Sequence, residues 1–444
     1  LRDDGVAVRD AAALRAALVD DLAATAVLSG DGAARETARW LVREAALALG
    51  AVPASIQDLY LARGRGEVGG FTVPALNLRA LAYDSARAAF RAARALDVGA
   101  LVFELARSEM GYTQQEPAEY ATAVLAAAVK EGWRGPVFLQ GDHFQVHPAR
   151  YARDPQGELE ALRRLIRHAL DAGFFNIDID ASTLVDLSRP TVPEQQEPNV
   201  SVTAELAEEV RRRQPPGVVV SIGGEIGEVG GHNTTPEELE AYMAGLLRLL
   251  GERGVAPGIS KLSVQTGTRH GGFVLPDGSI AEAAVDFETL ETLSRLARER
   301  YGLAGVVQHG ASTLPEELFH RFPQVGTAEI HLATAFMNLV LDHPTLPEAV
   351  RREVEEYVRR ERAADRSPDE TEAQFLARNR KYALGPLKRR LWELPQTTRD
   401  AIAATLEKRF AFLYEQLGVR GTTAVVERYV RPAAVHPPRP AAVG

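Results

Sequence analysis

Between residue 71 and about residue 335, short runs of β-branched and aliphatic residues alternate with stretches where apolar side chains recur every three or four positions. The first pattern suits a strand buried on both faces and the second a helix burying one stripe; their regular alternation predicts a parallel sheet with crossover helices. Eight runs read as strands: Phe71 to Asn77, Ala100 to Leu105, Pro136 to Gly141, Phe174 to Asp180, Gly217 to Ile222, Ile259 to Gln265, Ala304 to His309 and Thr327 to Leu332. Between them lie helical stretches such as Ala80 to Leu96, Glu119 to Lys130, Glu158 to Ala172, Pro236 to Leu250 and Phe287 to Arg300. Eight such pairs fit the roughly 250 residues of a (β/α)₈ TIM barrel. The expected class is therefore α/β, with an open doubly wound sheet as the alternative.

The flanks read differently. Residues 1–66 are rich in Ala, Arg and Leu at helical spacing and end in the loop Arg63-Gly64-Arg65-Gly66, which predicts an N-terminal helical cap over the barrel's N-terminal face. Residues 67–335 form the barrel. Residues 336–444 predict a C-terminal helical extension, with helices over Glu348 to Arg362, Glu370 to Tyr382 and Thr398 to Leu417, broken by Pro344, Pro368 and Pro395. The mixed charges of Arg351 to Arg362 are expected on a solvated face. Pro432 to Gly444 carries four prolines and is expected to be extended or disordered.

Composition narrows the chemistry. Apolar residues at 45% and charged residues at 25% are ordinary for a globular protein. No apolar run approaches the roughly 18 residues of a membrane span, so a soluble, cytoplasmic chain without a membrane partner is expected. A net charge of −9 without a basic stripe argues against nucleic acid. Zero cysteines exclude thiolate nucleophiles and thiolate metal sites, which leaves any transition metal to His, Asp and Glu. The ten histidines thus become the residues to follow.

Active sites of such barrels lie at the C-terminal ends of the strands. There the chain reads Gln140-Gly141-Asp142-His143, Asp178-Ile179-Asp180-Ala181-Ser182, Gly224-Glu225-Ile226-Gly227, Gly267-Thr268-Arg269-His270-Gly271 and His309-Gly310-Ala311-Ser312, with His331 and Thr334 after the eighth strand. Three histidines from strands three, six and seven, each close to glycine, match a catalytic zinc geometry with an open fourth position. His168, His320, His343 and His436 read as surface or core residues, and His147 as loop support.

Those five segments, taken in order with Val73-Pro74-Ala75-Leu76-Asn77, resemble the signatures of class II fructose-bisphosphate and tagatose-bisphosphate aldolases over roughly 60% of the chain. The resemblance implies reversible cleavage of a ketose phosphate into dihydroxyacetone phosphate and an aldehyde. It implies His143, His270 and His309 as ligands of one divalent ion, zinc, with a monovalent cation as a further possibility. Asp142 becomes the acid/base, and Glu225 a catalytic group beside the metal. Asn77, Asp180, Ser182, Gly271, Gly310, Ser312, His331 and Thr334 become the substrate and phosphate contacts. A small-molecule sugar phosphate is the implied partner, and a homo-oligomer the implied assembly.

Three departures stand out. The family's Asn-Ile-Asp-Thr after the eighth strand is here His331-Leu332-Ala333-Thr334, its acidic residues after Gly230-Gly231 are here His232-Asn233, and the Lys or Tyr common past His270 is replaced by Gly272-Phe273-Val274. The resemblance therefore implies a changed substrate contact, with Glu228 or His232 as substitute proton donors. Two other readings remain open. Lys261, expected near the start of its strand and away from the mouth, is the sole candidate for a Schiff base, and a non-catalytic scaffold related to the tagatose-bisphosphate aldolase companion subunit is the other.

Overall fold

The computed structural model describes residues 5–227, 231–267, 273–281 and 284–443. These residues form eleven strands in chain order: β1 Ala51–Ala54, β2 Val73–Asn77, β3 Val102–Ala106, β4 Gly135–Gln145, β5 Asn176–Asp180, β6 Ser221–Gly227, β7 Lys261–Val264, β8 Phe273–Val274, β9 Ile280–Ala281, β10 Val306–Gln308 and β11 Glu329–Leu332. Strands β2 to β7, β10 and β11 pair in parallel in that order. Pairing of β11 with β2 closes the ring. An eight-stranded parallel barrel results, and closure removes the open-sheet alternative.

The expected helices are present with ends shifted by a few residues, at Ala82–Ala95, Pro117–Glu131, Pro155–Ala172, Pro236–Glu252 and Phe287–Tyr301. Several start where the sequence supplies both a cap and a proline for the first turn, as at Thr235 before Pro236, whose hydroxyl accepts from the Glu238 N–H at 3.2 Å. A further crossover helix, Val192–Arg213, contains Pro198 and few apolar residues in its first turns.

The strands differ more from expectation. β6 begins at Ser221 rather than Gly217, and β4 runs on to Gln145. Strand β1 falls in a segment expected to be helical. It pairs with the first half of β4, Ala51 to Ala54 against Gly135 to Phe138, while the second half of β4 pairs with β5 from Gln140 onward. The length of β4 therefore serves two neighbours in succession. Strands β8 and β9 form a small hairpin beyond the barrel.

The N-terminal segment reaches the entries of the barrel strands. On helix Gln57–Gly64 the Arg63 guanidinium is buried and donates to the backbone carbonyls of Phe71, Ala304 at 3.4 Å and Thr327 at 3.1 Å, at the entries to β2, β10 and β11. Burial draws its pKa down to about 10, which leaves it cationic at neutral pH.

After β11 the chain is helical through Thr334–Leu341, Glu348–Glu361, Glu372–Asn379 and Gln396–Gln416. The last of these packs on the first crossover helix. Tyr414 Oη donates to the Ala89 carbonyl at 3.3 Å, and Arg399 meets Asp84 at 3.3 Å. Helix Glu348–Glu361 buries only Val350, Val354 and Val358, which leaves its charged positions largely at the surface. The proline-rich end is extended and tied down: His436 Nδ1 lies 2.9 Å from Glu44 Oε1, and the Val435 carbonyl accepts from Arg43 at 3.3 Å.

Arg63→Ala takes the side-chain donor from the Phe71 and Ala304 carbonyls, while the Thr327 carbonyl keeps the Thr72 hydroxyl at 2.8 Å; each orphaned group costs about 1–3 kcal/mol. The variant is expected to lose roughly 2 kcal/mol or more of unfolding free energy, read as a lower urea midpoint.

Candidate active site

A bulge aims two consecutive side chains into the barrel mouth. Along β4 and β5, Gly141 faces Ile177 and Phe144 faces Ile179, so Asp142 and His143 together oppose Asp178 alone. An extra residue of this kind re-aims its side chains, and sites of this type collect strained backbone. His143 sits at φ +41°, a left-handed conformation rare outside glycine. Gly141 is required by the same turn, because a Cβ there would collide with the Phe144 ring.

Around His143 the carboxylates form a tight set. Its Nδ1 is 3.0 Å from Asp180 Oδ2 and 3.3 Å from Glu225 Oε2. Asp180 is itself fixed by the Ser182 N–H at 3.1 Å, the Ser182 hydroxyl at 2.6 Å and Gln145 Nε2 at 2.6 Å. His309 Nε2 lies 3.0 Å from Ser263 Oγ and 3.6 Å from Glu225 Oε2. The rings of His143, His309 and His331 follow one another with centroids 4.2 and 4.1 Å apart.

Burial opposes charge on Glu225 and pushes its carboxyl up to about 7, although His143 pulls the other way. For His143, burial alone would lower the imidazole pKa; Asp142 and Glu225 overcome it and hold the ring well above its ordinary range. Asp180 ends below the usual carboxylate range, because the hydrogen bonds from His143, Ser182 and Gln145 outweigh its burial.

Donor atoms of His143, Glu225 and His309 lie within 4.8 Å of one another, as do those of Asp142, His309 and His331, and those of Glu104, Glu329 and His331. The first set fits a divalent ion best, with two imidazoles and a carboxylate at the cavity mouth. The third set already holds a cation. Lys261 Nζ is 2.5 Å from Glu329 Oε1, 2.9 Å from Asp178 Oδ2 and 2.8 Å from Gln140 Oε1, and a second positive ion there would be repelled.

The mouth opens into a cavity of about 880 Å³ that both Asp142 and His143 line. Asn77 reaches it indirectly, as Nδ2 donates to Glu109 and Oδ1 accepts from Arg79 Nε at 3.2 Å. Gly310 and Ser312 lie on the wall with Thr334, and the Ser312 hydroxyl accepts from the Ala333 N–H at 2.6 Å. His270 and Gly271 lie outside the described residues, as does Glu228. His232 is half exposed and 3.2 Å from Glu238 Oε1.

His331 is placed differently from a phosphate contact. It is buried, with Nδ1 3.0 Å from Glu104 Oε2 and 3.1 Å from Asp142 Oδ1, and Nε2 2.7 Å from Glu329 Oε1. Both nitrogens face carboxylate oxygens. Burial would discharge the ring, yet Glu104 and Asp142 dominate and keep its pKa well above normal.

Lys261 is the first residue of β7, at the start of its strand as expected, and it is buried. Burial lowers its pKa, but Asp178 and Glu329 more than reverse this and hold it above its ordinary value. A Schiff-base nucleophile must be a neutral amine, and the ion pairs with Asp178 and Glu329 oppose that state. Sequence reasoning missed the roof of the cavity: Arg79 and Glu109, an ion pair at 2.5 Å, and Gln374, Arg378, Arg380 and Lys381 from the C-terminal extension. The run Arg378-Asn379-Arg380-Lys381-Tyr382, with three cations in five positions, was the available signal.

With this geometry in place, the comparisons identify the family. Residues 65–392 match the family described as Fructose-bisphosphate aldolase class-II, and the chain belongs to it. A "Putative fructose-bisphosphate aldolase" of Coccidioides immitis (strain RS) is 27% identical over 233 residues, which cover 50% of this chain and 64% of that relative's length. Among solved structures, the fructuronate-tagaturonate epimerase UxaE of Cohnella laeviribosi aligns with a TM-score of 0.56 at 14% identity, over 88% of this chain and 86% of that one. A "probable tagatose 6 phosphate kinase" of Sinorhizobium meliloti 1021 aligns at 0.52 with 19% identity, over 82% and 95% of the two chains. At such identities these two structures establish the shared fold alone.

Lys261→Met removes the cation from between Asp178 and Glu329 and leaves two buried carboxylates facing each other. Breaking a buried pair in this way costs about 3–5 kcal/mol. A urea melt of the variant is expected to show that loss, and borohydride treatment of the wild type with dihydroxyacetone phosphate is expected to leave no adduct on Lys261.

Proposed function

We propose that the chain is a metal-dependent aldolase, which cleaves a ketose phosphate into a dihydroxyacetone-phosphate-type donor and an aldehyde and runs the same step in reverse. The observation that carries this reading is the bulge in β4, which presents Asp142 beside His143 while Glu225 and His309 converge on the same point. His143, His309 and, from the sequence, His270 would hold one divalent ion, and a set of imidazole donors favours zinc. When bound, such an ion supplies Lewis-acid stabilisation of negative charge developing on the substrate's oxygens.

The chain's own groups do the rest. Asp142 accepts the hydroxyl proton released when the carbon–carbon bond breaks and returns it during condensation. Asp180, held by Ser182 and Gln145, orients the His143 ring in the manner of carboxylate partners behind metal-binding imidazoles. Gly310 would offer its backbone N–H to a phosphate, with Gly271 a candidate from the sequence alone, and Ser312, whose oxygen already accepts from Ala333, has its own proton to donate.

The roof supports an anionic substrate. Arg79, Arg378 and Arg380 are matched by Glu109, Glu370 and Asp342, whereas Lys381 has no carboxylate partner among the described residues. The roof thus carries an excess positive charge over a mouth lined by acids.

Purified protein is expected to carry close to one divalent ion per chain by elemental analysis, with chelation abolishing ketose-bisphosphate cleavage and added zinc restoring it. Full metal occupancy in a His270→Ala, His309→Ala double variant would overturn the ligand assignment. Asp142→Ala is expected to keep the metal while turnover falls by about 10²- to 10⁴-fold, the range for a lost general acid/base. Unchanged turnover would move proton transfer to another group.

A further inference from the structure

Below the mouth, the barrel interior holds a continuous column of polar side chains. The Tyr60 phenol, on the N-terminal cap, donates to Glu329. Glu329 also accepts from Lys261 Nζ and, at 2.8 Å, from Gln140 Nε2. Its Oε1 meets His331 Nε2 at 2.7 Å, and on the other edge of the same ring Nδ1 meets Asp142 Oδ1 at 3.1 Å. One imidazole therefore joins the group proposed for proton transfer to an anchor fixed by three other donors.

We propose that His331 is a positioning residue, whose Nδ1–H holds one oxygen of Asp142 so that the other faces the reacting hydroxyl. The geometry supports donation from both ring nitrogens, because Nδ1 faces oxygens of Glu104 and Asp142 and Nε2 faces one of Glu329. The ring has little freedom to turn. It is 4% exposed, lies against the His309 ring, and a flip would leave the nitrogens off their carboxylates. Asp142 needs such support, since it stands on a bulge beside a left-handed residue, where the backbone alone does not dictate its rotamer.

This assignment differs from a substrate contact in what it demands. A residue that binds substrate changes KM when altered, whereas one that aims a proton-transfer group changes kcat, and an error of about 1 Å costs on the order of 10²-fold. The inference rests on the aldolase reading for what Asp142 does, but not for where Asp142 is held.

Two amide substitutions separate the two edges of the ring. Asn places its N–H₂ near the position of Nδ1, and Gln places its own near Nε2. His331→Asn keeps a donor for Asp142 and gives up one of four donors to Glu329; His331→Gln does the reverse. With zinc-loaded protein and fructose 1,6-bisphosphate or tagatose 1,6-bisphosphate, the expected result is a kcat about threefold to fivefold lower for His331→Asn and about 100-fold lower for His331→Gln, with KM within twofold for both. His331→Ala replaces the Gln variant if that protein does not fold. Crystal structures of the zinc-loaded variants provide a readout independent of turnover: Asp142 is expected to keep its rotamer in His331→Asn and to leave it in His331→Gln or His331→Ala. The reverse order of kcat, a change confined to KM, or an unmoved Asp142 in the Gln or Ala variant overturns the inference. A wild type that cleaves neither bisphosphate and condenses dihydroxyacetone phosphate with none of a panel of aldehydes sinks the aldolase reading instead, and the Asp142 rotamer then decides the positioning role alone.

Discussion

An ammonium group buried without water must be matched by carboxylates, and the placement of Lys261 governs much of the barrel interior. Its Nζ sits between Asp178 and Glu329, with Gln140 as a third partner. The layer is built in register: Glu104 lies beside Gln140 across β3 and β4, Asp178 beside Gly223, and Gly223 beside Lys261. Gly223 makes room for the pair, since a Cβ there would collide with Asp178 and press on the Lys261 stem. Barrel layers are ordinarily filled by branched apolar side chains, which pack without such matching. Here the acids that surround Lys261 also fix His331. Glu329 is held below its usual range chiefly by Lys261, despite burial, so it stays ionised and anchors the imidazole.

A second local feature, the bulge in β4, converts this floor into a site. Without it, alternation along the strand would send Asp142 and His143 to opposite faces of the sheet. With it, both reach the mouth, where His143 meets Asp180 and Glu225. A second irregularity lies between Glu225 and Gly227 on β6, on the far side of β5. The two disruptions flank β5, whose Asp178 serves the floor and whose Asp180 serves the mouth. Floor and mouth are therefore coupled through a single strand and through His331.

Much of this was legible in the sequence, and the parts that were not have physical reasons. Alternating apolar runs and amphipathic stretches marked the barrel, because strands buried on both faces and helices buried on one leave distinct periods. Strand β6 was misplaced by four residues, since Gly223, Gly224 and Gly227 carry no hydrophobic signal even though the segment is fully buried. Strand β1 was invisible: four residues containing Pro53 sit inside an alanine-rich stretch, and only pairing with the long β4 makes them a strand. At the site, Asp142, His143, Glu225 and His309 were found by asking what ends each strand. The burial of His331 could not be read that way. A histidine at a strand end looks the same whether it faces solvent or a ring of acids, and Glu104, Asp142 and Glu329 come from three different strands.

The polarity of the cavity follows from which part of the chain builds each wall. The floor and mouth come from the barrel and are dense in acids, which suits cations and histidines. The roof comes from the loop after β2 and from the helical segment 372–383, and it is dense in guanidinium and ammonium groups. Desolvation, and then repulsion from the nearby Arg79, lower the pKa of Lys381. An anionic group placed there would relieve that repulsion while its uncharged portion extended toward Asp142. Two walls of opposite sign across a cavity of about 880 Å³ orient a dipolar ligand before any specific contact forms. The C-terminal helices thus supply cations that the strand ends, dense in acids and histidines, do not.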